Sequence, residues 1–434
     1  MKRVFTIILL VAWGTVFAQR NSPTLKMTLN DAINYALENN YSQQKLMIGK
    51  NSTEEELKQS KRDLLPNLSG SLTQGLSDSK NGQTDNTVLN GNYSLSSQAT
   101  LYNGGQSINS IRKNQLLLDQ SETKMAQAQN LLVINVIKSF LSVLMNDELQ
   151  KYQNEVLKIS EEQCRLGEIQ LSAGKILKSD YLLLEAQVAS DRFNYLNSSV
   201  KRESSVLELK KYLSTESSTN IDVLAPDSAS SVKTLMLPEL AKFMEETLTW
   251  LPDIKISHQN IELANLDVKI AKGGLTPAIS IGGSVSTGYS GGATSWNSQI
   301  TNNLSEQLSL SVSIPLWNRG KVKSNVKQSQ YRQEQAEIEA KETEMNILIQ
   351  LEQEYNGVVA EQSKLSAAET GYKAYKENYD SYRIQYNAGL ISTAELLQQQ
   401  NNYLNALNNY LQSKYSFLLN RKVLDVYMGL EIAI

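Results

Sequence analysis

Among 434 residues there is one cysteine, Cys164, and one histidine, His258. A lone cysteine cannot form an internal disulfide, even in an oxidising compartment, and Cys164 reads as a small, half-buried helix residue. No Cys/His cluster, phosphate loop or nucleophile elbow is present, so an enzyme is hard to build from this inventory, and no metal or cofactor is expected. Proline is scarce. The seven stand at 23, 66, 226, 238, 252, 277 and 315, and none interrupts 67–225 or 316–434. Very long unbroken helices need that freedom. Long hydrophobic runs are missing after the first residues: the best stretch, Leu131–Met145, is interrupted by Asn135 and Lys138 and reads as an amphipathic helix. No transmembrane helix is expected, and any entry into a membrane must be made by β-strands. A basic excess is also lacking, with 42 basic against 45 acidic residues. That balance disfavours nucleic acid as a partner.

What is present begins with an export signal. Lys2-Arg3 precede the apolar run Val4–Val11, and Val16-Phe17-Ala18 offers small residues for cleavage before Gln19. Residues 1–18 are expected to be a secretory signal peptide. No cysteine follows the cleavage point, so a lipid anchor there is not expected.

The rest of the chain says nearly the same thing twice. Leu101-Tyr102-Asn103-Gly104-Gly105 returns as Leu316-Trp317-Asn318-Arg319-Gly320, an offset of 215, which also maps Ala173-Gly174 onto Ala388-Gly389 and Asp180 onto Glu395. Upstream the offset is 211, with Pro66 falling on Pro277 and Leu68 on Ile279. The four-residue slip therefore lies in a longer loop of the second copy. This period is too long for a solenoid and means two copies of one structural unit. The organisation expected is a first repeat over 19–213, a connector over 214–237 and a second repeat over 238–434.

Within each repeat the periodicity changes. Stretches of about 105–171, 176–213, 320–387 and 391–429 carry helical spacing, and the first of them would run roughly 100 Å. Helices of that length pack lengthwise on one another as coiled-coil hairpins. The segments between follow period two. Leu68, Leu72 and Leu76 alternate with Ser69, Ser71 and Thr73; Tyr93, Leu95, Ala99 and Leu101 with Ser94, Ser96, Gln98 and Thr100. The second copy repeats this with Ile279, Ile281 and Val285, then with Leu308, Leu310, Val312, Ile314 and Leu316. One apolar face and one face of Ser, Thr and Gln suit a membrane barrel strand between lipid and a watery lumen. The β-hairpins are expected at about 67–101 and 278–316, joined by exterior loops at 77–90 and 290–303. Tyr102 and Trp317 at matching strand ends, with Tyr289 near the other end, read as membrane-interface aromatics. Four strands cannot close a barrel, for which roughly eight is the lower bound, so several chains must share one.

With this duplicated helix, hairpin and helix pair, its Pro66 and Pro277 joints and its paired Gly-containing turns, the chain resembles the TolC-like outer-membrane efflux proteins over essentially its whole mature length. The resemblance implies a mainly α protein with membrane β: a homotrimeric 12-stranded β-barrel, four strands per chain, continued by a long periplasmic α-helical coiled-coil barrel. It implies the outer membrane as location, with most of the chain in the periplasm. It also implies a passive exit duct of a tripartite efflux or type I secretion system, working with a periplasmic adaptor, an inner-membrane RND or ABC transporter and outer-membrane lipid.

The same resemblance assigns residues. The turns Ala173–Asp180 and Ala388–Glu395 become adaptor-docking tips, with Gly174, Lys175, Ser179, Gly389, Leu390 and Ser392 foremost. Glu395 matches an inward acidic position of the periplasmic gate, and Gln398 stands where a second acidic residue is usual. Tyr386 and Asp180 match positions that bridge coils in the closed state, while the family's basic residue there is Ile391 in this chain. The substrate stays open among drug, metal and protein. A secreted coiled-coil tether without a pore is the alternative; it accounts for the helices but not for the phased strands.

Overall fold

The computed structural model describes residues 24–81, 84–224, 237–291 and 295–430. The expected signal peptide, residues 225–236 of the connector and the last four residues lie outside them. The chain opens with a short strand β1 (Thr24–Met27) and a helix α1 (Leu29–Asn39) that starts on a capping box between Thr28 and Asp31. At Asn40 the backbone turns extended, and its side chain accepts from the Ser42 amide to begin α2 (Tyr41–Arg62). The hairpin β2 (Asn67–Asn81) and β3 (Thr84–Asn103) follows, then the 67-residue α3 (Gln106–Ser172) and α4 (Lys178–Leu213). A strand β4 (Asn220–Val223) pairs in parallel with β1.

The second copy repeats the plan as α5 (Leu240–Trp250), α6 (Pro252–Gly273), β5 (Ala278–Ser290), α7 (Trp296–Asn302), β6 (Ser305–Ser313), α8 (Lys321–Asn387, again 67 residues) and α9 (Thr393–Tyr427). What was expected as one helix before each hairpin is two. The breaks fall at positions related by the offset of 211, Asn40-Tyr41 and Leu251-Pro252. Copy one breaks with an Asn cap, copy two with a proline at the first helical position, where its missing N–H costs nothing.

The sheet runs in the order β2-β3-β5-β6, antiparallel throughout. Its register carries the duplication. Asn67 pairs with Gln98, and their images Ala278 and Ser313 pair with each other. Both offsets are thereby satisfied at once, and the extra residues are confined to the hairpin end. The register also aligns the faces across all four strands. Ser69–Ser96, Ser71–Ser94, Ser280–Ser311 and Ser284–Gln307 form one row system, with hydroxyls of the first two pairs in contact at 2.9 and 2.8 Å. Leu72–Tyr93, Leu95–Val285, Ile281–Leu310 and Ile279–Val312 form the other. One face is small and polar and the opposite face apolar, as a wall between water and lipid requires.

Four expectations about the hairpins are corrected. The loop expected at 77–90 is strand on both sides, because β2 and β3 pair out to Asn81 and Thr84. The loop at 290–303 holds α7, capped by the Ser295 hydroxyl and tied down by Asn303 to the Gly288 carbonyl at 2.7 Å. Leu101 does not continue the apolar row: a bulge skips it, so that Tyr102 pairs with Ile279. β6 ends at Ser313, leaving Ile314 and Leu316 beyond the ladder ahead of Pro315, which has no N–H to donate.

The Leu-Tyr-Asn-Gly-Gly motif proves to be the joint from strand to long helix. Gly104 and Gly105 both take left-handed backbone, as do Arg319 and Gly320 at the duplicate joint. Two successive residues of that hand reverse the chain, which is why glycine stands there. Asn103 then caps α3 by accepting from the Ser107 amide and donating to its hydroxyl.

Two apolar cores lie partway along the long helices. The first gathers Leu29, Ala32 and Ala36 of α1, Leu132, Val136, Ile137 and Phe140 of α3, and Leu209 and Leu213 of α4. The second gathers Phe243, Ile347, Leu351, Val358 and Leu424. The residues correspond: Ala32 to Phe243, Leu132 to Ile347, Val136 to Leu351, Leu209 to Leu424. The image of Phe140 is Tyr355, which packs against the second core with its ring 6.2 Å from that of Phe243, the larger residue that stands where the first copy has Ala32. The stretch Leu131–Met145 falls in the first core. α3 is, among the described residues, the one helix long and apolar enough by composition to cross a membrane, but Val136, Ile137 and Phe140 are fully buried there against protein. Below this core Asp147 of α3 holds Arg202 of α4 at 2.7 Å, and Glu148 holds Lys414 and the Tyr415 hydroxyl of α9 at 3.0 and 2.8 Å. Burial opposes ionisation of Asp147, yet its bonds to Lys151 and Arg202 win and hold its pKa below the usual value.

Leu209 and Leu424 are duplicate positions and both fully buried. Truncating either to alanine is expected to cost about 2–5 kcal/mol, with closely similar falls in thermal midpoint. A large fall for one and none for the other would show that the two cores do not bear load equally.

Candidate functional site at the helical tips

Each long hairpin turns through a glycine with positive φ, Gly174 at 68° and Gly389 at 75°. The hydrogen bonds around them match. Gly174 and Lys175 donate to the Leu171 and Gln170 carbonyls at 2.9 and 2.8 Å, and Gly389 and Leu390 donate to those of Tyr386 and Gln385 at 2.9 and 3.0 Å. This is the Schellman end of a helix, in which a left-handed residue lets the chain cover its last carbonyls.

After the turn the copies diverge. Ser392 caps α9, its hydroxyl accepting from the Glu395 amide at 3.3 Å while the Glu395 carboxylate accepts from the Ser392 amide at 3.2 Å. The duplicate of Ser392 is Leu177, which has no side chain able to cap α4, although Asp180 stands where Glu395 does. The first turn of α4 is the less secured of the two.

The fold brings the two tips to a single cleft of about 490 Å³. Gly174, Lys175 and Asp180 line it from one side, and Tyr386, Gly389, Ile391, Ser392 and Thr393 from the other. Asp180 and Tyr386 thus share one hollow, and the Tyr386 hydroxyl lies 3.4 Å from that of Thr393 on its own hairpin. Glu395 and Gln398 lie outside that lining, exposed one turn apart on α9, with Gln398 donating to Asn402 at 3.2 Å. Lys175, Ser179 and Leu390 are exposed on the outer tip. At the far end Tyr289 donates to Gln74, which itself donates to Tyr93, and rests edge-on against Trp296. Tyr102 and Trp317 are both exposed near the joints into the long helices.

Sequence reasoning missed two features here. Ile169, Leu177, Ile384 and Leu390 leave large apolar side chains exposed around the turns; apolar residues flanking a helix-ending glycine were the available signal. A tyrosine column ties α8 to α9, Tyr379 on Tyr403 at 5.6 Å, Tyr403 on Tyr372 at 6.0 Å and Tyr372 on Tyr410 at 5.1 Å. Its signal was the seven-residue spacing of 372 and 379 and of 403 and 410.

Among the described residues no group of His, Cys, Asp and Glu could hold a metal. Burial, with Glu185 nearby, pushes the Cys164 thiol up, away from the thiolate a nucleophile needs. Placing serine at 177 completes the missing cap with Asp180, so Leu177→Ser is expected to stabilise the start of α4 by about 1 kcal/mol, and Ser392→Ala to weaken the start of α9 by a similar amount. Amide exchange in residues 178–181 and 393–396 reads both effects.

Comparison with known proteins gives this architecture a family. The model of the family described as outer membrane efflux protein matches residues 32–215 and 244–430, one match per copy. No curated protein sequence matches significantly. Among solved structures, the CmeC outer membrane channel of Campylobacter jejuni superposes with a TM-score of 0.81 at 16% identity, covering 92% of this chain and 85% of that one. CusC, studied for the changes that accompany folding and transmembrane channel formation, gives 0.79 at 18% identity over 93% and 92%. The open state of the MtrE outer membrane channel of Neisseria gonorrhoeae gives 0.75 at 18% over 92% and 88%. None of these matches favours a tether without a pore. With the family model covering both halves and the strand faces sorted for lipid and water, the chain belongs to the outer membrane efflux protein family, the outer-membrane channels that serve as exit ducts for efflux.

Proposed function

We propose that three copies of this chain close one 12-stranded barrel and one helical duct, and that the tips dock a periplasmic adaptor coupled to an inner-membrane RND or ABC transporter. The observation that carries this reading is a pair of open edges running the length of the molecule. The sheet ends in β2 on one side and β6 on the other. In hydrocarbon every unpaired backbone group on those edges costs several kcal/mol, so they must meet another chain. The helices continue both edges. α2 and α4 leave Met47, Ile48, Phe193, Leu196 and Val200 exposed, and α8 leaves Ile338, Met345 and Ile349 exposed. A head-to-tail contact of one edge on the other closes into a ring.

In that ring Glu395 and Gln398 would face the periplasmic mouth, and three Glu395 carboxylates would attract cations and repel anions. Asp180 and Tyr386, sharing the tip cleft, would hold the closed arrangement. Ala173–Asp180 and Ala388–Glu395 would present the adaptor with two similar surfaces, each carrying exposed apolar residues. No covalent chemistry is assigned to any residue; the duct is passive, and an adaptor that binds only the spread tips opens it by differential affinity.

Purified protein in detergent is expected to have three times the mass of the chain by native mass spectrometry. In planar bilayers it should show small, steady conductance that a trivalent cation added from the helical side blocks, and Glu395→Ala should lose the block. Conductance with an unchanged block in the variant would move the gate elsewhere. Folded trimers that never conduct would overturn the duct.

A further inference from the structure

One buried carboxyl takes no part in the contacts described so far. Asp191 of α4 has no exposed surface. Its Oδ1 accepts from Gln187 at 2.9 Å on its own helix, and its Oδ2 accepts from Gln400 of α9 at 3.2 Å. Gln400 is itself 1% exposed, and its Oε1 is buried without a hydrogen-bond partner. α3 brings the buried Ser160 and Gln163 to this region, and α8 brings Tyr379. The groups that act on the Asp191 carboxyl, Ser160, Gln187 and Gln400, are all neutral.

The position matters as much as the chemistry. At 1.5 Å per residue the pair lies roughly 15–25 Å from the Gly174 and Gly389 turns. Within each hairpin the helices pack closely, α3 on α4 and α8 on α9; between the hairpins the contact is smaller, made by α3 on α9 and, less extensively, by α4 on α9. The pair also breaks the duplication. The image of Asp191 is Ala406, and Gln400 is the image of Glu185. No Asp–Gln pair can form at the duplicate positions, so this tie belongs to the seam within one chain.

We propose that Asp191 and Gln400 form a latch across the two helical hairpins of one chain, which must part before the tips can spread. The proposal rests on the duct reading above. The latch is held by one charge-bearing group that the packing of the two hairpins keeps dry, and parting the hairpins lets water reach it. Burial raises the Asp191 pKa above the usual carboxylate value, against the hydrogen bonds of Ser160, Gln187 and Gln400, which lower it. The packed hairpins therefore hold a proton more tightly than parted, hydrated ones. By linkage, closure is favoured below the ordinary carboxylate pKa, and that advantage is lost as pH rises through the raised value.

The test compares wild type, Asp191→Asn and Gln400→Ala as purified full-length trimers in planar bilayers, with the helical side stepped from pH 7.5 down to about pH 3.5, below the ordinary carboxylate value. Wild-type open probability is expected to fall with acidification. Asp191→Asn, the neutral isostere, should stay at the low wild-type level at every pH, and Gln400→Ala should open several-fold more often than wild type at the acidic end of the range. Thermal melts at pH 7.5 keep folding in view, since removing a buried charge should leave Asp191→Asn at least as stable as wild type. A wild-type pH response retained in Asp191→Asn, or unchanged opening in Gln400→Ala, overturns the latch and leaves the duct standing. No conductance from any of the three overturns the duct and the latch with it.

Discussion

Everything in this molecule answers to one constraint: inside a membrane a backbone N–H or C=O must find its partner within protein. Four strands in the order β2-β3-β5-β6 satisfy their inner neighbours and leave two edges unmet. In the proposed ring those edges are met by copies of the chain, and the helices that prolong the strands leave matching edges as well. The unpartnered apolar residues on α2, α4 and α8 are the continuation in water of a demand that arises in lipid. In the proposed ring they meet a neighbouring copy.

Duplication supplies the cheapest way to build such a ring, because each repeat contributes one hairpin and one helix pair in the same register. The pairing of Asn67 with Gln98 and of Ala278 with Ser313 shows how strictly that register is kept, since a slip of one residue would turn every serine toward lipid. The copies differ where the ring has no need of symmetry. The helix break is an Asn cap in one and a proline in the other, and the tip cap is Leu177 in one and Ser392 in the other. At the seam between α4 and α9, a buried Asp and Gln meet in one case and have Ala406 and Glu185 as their images.

Much of the architecture was legible residue by residue. Absent prolines over 67–225 and 316–434 announced the long helices, and strict alternation of Leu with Ser announced a two-faced sheet. The tips were legible because Gly174 and Gly389 recur in like surroundings. The helix inside 290–303 was hidden because Gly, Ser and Asn read as loop, while its start depends on the Ser295 hydroxyl and its hold on Gly288 depends on a contact across the hairpin. The bulge at Leu101 was hidden too, since alternation in one strand carries no information about which residue its partner skips.

Sequence by itself determined the element types, the twofold plan and the need for a closed sheet, because these follow from local periodicity, backbone hydrogen bonding and repetition. Tertiary structure alone decided which residues meet: Asp180 with Tyr386 around one cleft, Glu148 with Lys414, and Asp191 with Gln400. Those partners stand some two hundred or more positions apart, and nothing in local pattern sets the rotation and axial stagger of one long helix on another. That choice is made by packing two duplicated cores together, after which the polar side chains pair with whatever the geometry puts before them.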